Sequence, residues 1–215
     1  SWSKPFATVG RACVIAHNST LDYNTPYAII VAPGNGSTTY SETLPITISK
    51  GGLSIICMGG QGFKPVQTSL SGSFIVNMSG SNLFFSICGI EINCPGTANW
   101  NAQPAAIYVT GSNTQRVFIA NAVVNANSAT RHAIYCDNAN ATVFASQSEL
   151  KVGASGTSNL VAINMVAGAL TAYDCNTANR QSGNIGGAIS LNNAAAITLW
   201  GGDIAGNIIK ASNTS

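Results

Sequence analysis

Charged side chains are scarce in this sequence. Lysine, arginine, aspartate and glutamate together make up 7% of the 215 residues, whereas about 25% is usual for soluble proteins. The net charge of +2 at pH 7 is carried without a basic stripe or a cluster of basic and aromatic residues, which are the features that bind nucleic acid. We therefore expect no nucleic-acid partner, and a surface built from amides and hydroxyls.

Long apolar runs are also missing. No stretch of about 18 apolar residues is present to span a bilayer. The N-terminal SWSKPFATVG lacks the charged-then-apolar order of a signal peptide. We expect no membrane insertion, and a chain that represents a mature form or an excised domain.

The six cysteines are not accompanied by histidine or carboxylate at the spacing of metal ligands, so we expect neither a metal nor another cofactor. They are scattered through a chain too long to need disulfide staples, and we expect mostly free, buried thiols. Cys88 and Cys175 each lie five residues after the first residue of an apolar run. This spacing predicts that they are rungs of one interior ladder of small residues.

A repeat runs along most of the chain. Short apolar segments begin at Phe74, Ile107, Ile134, Ile163 and Ile189, at steps of 33, 27, 29 and 26 residues. A second apolar run follows each of them, and these runs begin at Leu83, Val117, Val143, Leu170 and Ile197. A fixed period of this size is typical of a solenoid, in which every repeat is one coil.

The residues between the two runs fit tight corners. Gly111, Asn138, Gly168 and Asn193 occupy these places, and glycine and asparagine tolerate the left-handed backbone conformation that sharp turns use. We predict an all-β fold, a right-handed parallel β-helix of about six to seven coils. Residues 1–24 form an N-terminal cap that covers the first open edge, residues 25–210 form the β-helix, and residues 211–215 are a tail.

The segment from Tyr27 to Gly60 resembles the opening coil of the pectin-lyase-like superfamily. It contains a strand, a Pro-Gly turn, a Tyr-x-Glu step at Tyr40 to Glu42, a second strand and a Lys-Gly turn before a third strand. The resemblance implies the parallel β-helix fold, which in that superfamily occurs in polysaccharide-cleaving enzymes, in phage tailspikes and in coils without chemistry. Near the C-terminus, GGAISLNNAAAITLWGGDIAGN resembles one repeat of polymorphic outer-membrane adhesins of the chlamydial type.

Few residues are suited to cleaving polysaccharides. A hydrolase needs a carboxylic acid beside a base, and a calcium-dependent lyase needs several acids around the ion. The candidates here are Asp137, Glu149 and Asp174, with His132 as a possible base next to Arg131. An enzyme would require these acids to project from the same outer face. Glu42 matches only part of an esterase motif, so we interpret it as structural.

The sequence therefore favours a non-enzymatic structural or attachment protein, such as a viral fibre, a spike or a capsid-decoration domain on the virion surface. The resemblance to viral β-helices implies a parallel homotrimer. Alanines that we expect to point outward allow close approach at such an interface: Ala105, Ala106, Ala120, Ala122, Ala194 and Ala195. The alternatives are a polysaccharide lyase or glycoside hydrolase, and a bacterial surface adhesin, either secreted or on the cell surface.

A glycan or a cell-surface receptor is the expected ligand. Trp100 lies in a long insertion and offers a flat face to a sugar ring, as do Tyr108 and Trp200. Arg116 and Arg131 are candidates for contacts with acidic sugars or with a partner subunit.

Overall fold

The computed structural model describes residues 6–18, 26–32, 38–57, 68–80, 83–94, 104–126, 132–152, 161–179, 189–192, 194–205 and 208–210. It contains one helix, α1 (Val9–Asn18), within these ranges. The strands, in chain order, are β1 (Tyr27–Val31), β2 (Thr38–Ser41), β3 (Ile46–Lys50), β4 (Leu53–Cys57), β5 (Thr68–Ser71), β6 (Phe74–Ser79), β7 (Phe84–Cys88), β8 (Glu91–Cys94), β9 (Ala105–Val109), β10 (Gln115–Ala120), β11 (Val123–Ala126), β12 (His132–Cys136), β13 (Ala141–Ser146), β14 (Glu149–Val152), β15 (Ile163–Met165), β16 (Gly168–Tyr173), β17 (Asn176–Asn179), β18 (Ile189–Leu191), β19 (Ala195–Trp200), β20 (Asp203–Ala205) and β21 (Ile208–Lys210).

Every third strand belongs to the same parallel sheet. Sheet A runs β1-β4-β7-β10-β13-β16-β19, sheet B runs β2-β5-β8-β11-β14-β17-β20, and sheet C runs β3-β6-β9-β12-β15-β18-β21. Three successive strands therefore complete one coil, and the described residues form seven coils. The predicted all-β, parallel β-helix architecture is confirmed, and its right-handed winding stays a prediction.

The repeat seen in the sequence corresponds to strands that stack in register. Phe74, Ile107, Ile134, Ile163 and Ile189 are successive partners in sheet C. The second runs stack in sheet A, where Phe85, Val117, Val143, Leu170 and Ile197 are partners. Alternation within each strand sends these side chains into the core, because successive residues of a strand point to opposite faces. Burying each large apolar side chain contributes about 1.5–3 kcal/mol.

The corners follow two different patterns. At the corner between sheets C and A, Gly111 and Gly168 have positive φ angles of 96° and 82°, as predicted. The prediction was wrong for Asn138, which has no positive φ and is instead fully buried with its amide bonded to neighbouring backbone. Asn193 lies outside the described residues.

The corner between sheets A and B uses a left-handed residue in successive coils. Asn121, Gln147 and Asp174 have φ angles of 48°, 47° and 48°. The N–H of each donates to a backbone carbonyl of the next coil, at distances of 2.9–3.1 Å. Asparagine and aspartate tolerate this conformation, whereas glutamine at the same place shows that the stacking of coils imposes it.

Helix α1 lies against β1 and β3 of the first coil. Thr8 caps it, because its Oγ1 accepts from the N–H of Arg11 at 3.1 Å. The carboxylate of Glu42 accepts a hydrogen bond from the N–H of Gly10 at 3.0 Å, so Glu42 has a structural role, as predicted. Its negative charge lies at the N-terminus of α1, where it is stabilised by the positive end of the helix dipole. No helix in the described part of the chain is long and apolar enough to cross a membrane.

None of the six cysteines forms a disulfide bond, and five of them are buried, as expected. The predicted ladder of Cys88 and Cys175 was wrong. Cys88 points outward from sheet A and pairs in register with Ile56 and Ala120. Cys175 is buried just beyond the corner residue Asp174, because the corner adds a residue after the strand has ended.

Candidate functional site

The three candidate acids do not share an outer face. Asp137 directly follows β12 of sheet C, Glu149 begins β14 of sheet B, and Asp174 lies at the corner between sheets A and B. Glu149 also accepts from Lys151 Nζ at 2.9 Å. The condition for a lyase or hydrolase site, acids projecting from one face, is not met by these residues. In the described ranges, no three histidine, cysteine or carboxylate side chains are grouped so that they could hold a metal ion.

The structure does bring several candidate residues together on the outer face of sheet C. Tyr108 of β9 and Tyr135 of β12 are partners in register, and their rings meet edge to face with centroids 5.6 Å apart. They occupy the same position of the repeated segments IYVT and IYCD, so the coil period places one above the other. The hydroxyl of Tyr108 donates to Oδ2 of Asp137 at 2.7 Å.

His132 lies beside these tyrosines, with its ring 5.8 Å from that of Tyr135. Its Nδ1 is 2.7 Å from the carbonyl oxygen of Val161 and 3.4 Å from the backbone nitrogen of Val161. We assign the proton to Nδ1, because the contact with the carbonyl is much the shorter of the two. Its Nε2, 3.2 Å from Nδ2 of Asn164, then accepts from that amide. We call this group the tyrosine cluster: Tyr108, His132, Tyr135, Asp137 and Asn164.

The electrostatics of the tyrosine cluster keep its aromatic groups neutral. Burial lowers the pKa of His132, and the hydrogen bond to Val161 opposes this only in part. Burial, followed by the charge of Asp137, raises the pKa of Tyr135. Burial also raises the pKa of Tyr108. At neutral pH both phenols therefore remain hydrogen-bond donors, and both ring nitrogens of His132 already have partners, which leaves the histidine poorly placed to remove a proton.

The remaining candidates lie elsewhere. Arg116 is exposed on the outer face of sheet A, in register with Phe84 and Thr142, and therefore on a different face from the tyrosine cluster. Trp200 is 57% exposed on sheet A. Trp100 and Arg131 lie outside the described residues.

Sequence reasoning missed two members of the tyrosine cluster, Tyr135 and Asn164. Tyr135 was detectable, because it repeats the position of Tyr108 one coil later. Asn164 follows Tyr135 in the same column but changes residue type, so the repeat alone gave no reason to group it with the tyrosines.

The expected outward alanines are mostly internal. Ala105, Ala106 and Ala122 are 0–1% exposed, so they cannot form a contact surface between subunits. They lie where the chain bends between sheets, and there consecutive residues point inward. Ala120 points outward from sheet A, and Ala194 is exposed.

Comparison of the chain with family models, with curated proteins and with solved structures gave no match.

Proposed function

We propose that this protein is a non-enzymatic structural and attachment protein, a fibre, spike or capsid-decoration domain on the virion surface, which binds a glycan through the tyrosine cluster. The observation that carries the proposal is the set of two tyrosine rings, a carboxylate and a side-chain amide gathered on one outer face across three consecutive coils. Aromatic rings supply apolar faces for sugar rings, and carboxylates and amides bond to sugar hydroxyls.

The arrangement supports binding better than cleavage. Asp137 is the one carboxylate of the tyrosine cluster, and the hydroxyl of Tyr108 already engages it. Hydrolysis by the usual route needs two carboxylates flanking the bond that is broken. The other two candidate acids lie on other faces of the coil.

Self-association as a homotrimer is part of the proposal. Low net charge allows copies to approach one another with little repulsion. Six cysteines that form no disulfide are consistent with synthesis in a reducing cytoplasm before assembly.

Binding to a panel of immobilised glycans, with release of reducing sugars and unsaturated products measured in parallel, tests the proposed function. We expect binding without product. Tyr135→Ala removes one ring, Tyr108→Phe removes the hydroxyl bonded to Asp137, and both should weaken binding at least tenfold.

The matched control is Tyr173→Phe, the same loss of a hydroxyl from an exposed tyrosine on sheet A, which should leave glycan binding unchanged. Release of sugar products by the wild-type chain would refute the proposal that the protein is non-enzymatic. Equal binding by wild type and Tyr135→Ala would exclude the tyrosine cluster as the site.

A further inference from the structure

We infer that copies of this chain associate through the outer face of sheet A. This inference rests on the self-association part of the proposed function, and is independent of glycan binding by sheet C. The outer face of sheet A consists of three columns of outward side chains, each continuous in register from coil to coil.

The three columns contain almost no charge. The first runs Phe84, Arg116, Thr142, Ala169, Ala196; the second runs Ala28, Ser54, Ser86, Phe118, Phe144, Thr171, Thr198; the third runs Ile30, Ile56, Cys88, Ala120, Ser146, Tyr173, Trp200. Arg116 is the one charged residue among them, and it belongs to the first column, at a side of the face where an interface has its polar rim.

Aromatic side chains along these columns supply anchors. Phe118 and Phe144 stack with their rings 10° from parallel and their centroids 5.0 Å apart. Tyr173 and Trp200 stack at 8° and 6.1 Å, and they are 50% and 57% exposed. Interface centres are enriched in tryptophan, tyrosine and phenylalanine and depleted of charge, and the outer face of sheet A has this composition.

The outer faces of the other two sheets differ in charge. Sheet B presents Glu91, Glu149, Lys151 and Asp203 in its outward columns. Sheet C presents Asp137 within the tyrosine cluster. Within the described strands, the outward columns of sheet A therefore contain one charged residue, Arg116, whereas those of sheet B contain four.

The area of this face is sufficient for a specific contact. Seven strands spaced about 4.8 Å apart cover about 30 Å, and strands of about five residues cover about 17 Å. This gives about 500 Å² on each copy. Burying the face on two copies removes about 1,000 Å², which is the lower limit for a specific interface.

A second copy of the chain fits this face better than an unrelated partner. A partner must be equally long and carry ridges at the same spacing of about 4.8 Å, because one column of sheet A repeats at every coil. Another copy of the chain has the same coil spacing because it has the same fold. Sheets can also pack face to face with their strands aligned. Copies that direct this same face toward one threefold axis form a closed cyclic assembly, which is the symmetry of the proposed homotrimer.

Light scattering of the whole chain, with a monomer mass of 22.0 kDa, tests the inference together with two variants. Thr171→Lys places a charge in the central column of sheet A, and Asn176→Lys places the same charge on the outer face of sheet B in the same coil. We expect the wild type and Asn176→Lys to be oligomers of equal mass, and Thr171→Lys to be a monomer. If circular dichroism shows that the Thr171→Lys variant is unfolded, the Thr198→Lys variant, with the charge in the same column, is measured in its place.

Thiol labelling gives a second readout on the native chain. Cys88 is the most exposed of the six cysteines and lies in the third column, so association should slow its alkylation at least tenfold relative to the monomeric variant. A wild-type monomer at the highest soluble concentration, or an oligomer that survives both lysine substitutions in sheet A, would overturn the inference. Because glycan binding is measured on sheet C variants, failure of the interface and failure of the ligand site are distinguishable.

Discussion

Asn138 is expected to be one of the most sensitive polar residues in the chain. Its side chain is fully buried at the corner between sheets C and A. Its Nδ2 donates to the carbonyl of Asn113 at 3.0 Å and, over a longer distance of 3.4 Å, to that of Thr110. Its Oδ1 accepts from the N–H of Asn140 at 2.9 Å. The amide therefore joins the corners of two consecutive coils.

The substitution Asn138→Ala removes all of these bonds. A typical hydrogen bond contributes about 0.5–1.5 kcal/mol net, and a buried partner left without one costs about 1–3 kcal/mol. Two good bonds and one long one therefore predict a loss of about 2–4 kcal/mol in the free energy of unfolding. This is a large part of the stability of an average domain, about 5–15 kcal/mol.

Equilibrium denaturation with urea, followed by circular dichroism, measures this loss. The matched control is Asn140→Ala, which removes an amide of the same type that is exposed and bonded to Ser112 O at 2.8 Å. An exposed substitution of this kind should change stability by about 0.5 kcal/mol or less. Equal losses for the two variants would show that the buried amide does not hold the corner, and would refute the reasoning.

Three further predictions concern the core, pH and the thiols. Phe85→Ala should cost about 3–5 kcal/mol, because Phe85 is fully buried, whereas Phe118→Ala on the outer face of the neighbouring strand should cost clearly less; denaturation by urea compares them. Burial lowers the pKa of His132 and of His17 below about 6.5, the value in the unfolded chain. The unfolded chain then binds more protons, so the melting temperature should decrease as the pH falls below about 6.5, and His132→Gln should reduce this slope. In the folded monomeric variant Thr171→Lys, Cys88 should be alkylated before the other five cysteines, as mass spectrometry of the labelled chain would show; rapid labelling of all six would contradict the buried positions of the rest.

The coil architecture was predictable because apolar residues recur in the sequence once per coil. Phe74, Ile107 and Ile134 recur at intervals of one coil, and these residues are partners in the sheet. A parallel stack transmits register from one coil to the next through the backbone hydrogen bonds of every strand. One correct alignment therefore fixed the others, including the vertical pairing of Tyr108 with Tyr135.

The outward or inward direction of individual residues was less predictable. Ala105 and Ala106 are both buried although they are consecutive, because alternation fails where a strand begins at a corner. Cys88 and Cys175 have equal spacing from their strands but different environments, because Cys175 lies beyond the corner. Small residues fit either side of a coil, so their composition does not reveal the side they face.

The tyrosine cluster was predictable in part: the residue types and the coil register could be read from the sequence, but the side-chain contacts could not. Tyr108 and Asp137 were candidates from residue type, but their contact depends on Asp137 continuing the register of β12 beyond its last residue, with its N–H bonded to Val109 O at 3.1 Å. Asn164 belongs to the tyrosine cluster because its side-chain amide bonds to His132. These contacts depend on side-chain rotamers and chain ends, which periodicity does not determine.

The scarcity of charge follows from the geometry of stacking. One outward column of sheet B runs Glu91, Val123, Glu149, Asn176, Asp203, so a neutral residue separates each carboxylate from the next. At a coil spacing of about 4.8 Å, two like charges in adjacent coils repel by about 0.9 kcal/mol even in water, and at twice that distance by about half as much. Amides and hydroxyls stack without this cost, as Ser54 and Ser86 do with oxygens 2.7 Å apart. A parallel β-helix therefore tolerates charge of one sign at about every second coil of a column, and amides and hydroxyls suit the adjacent positions.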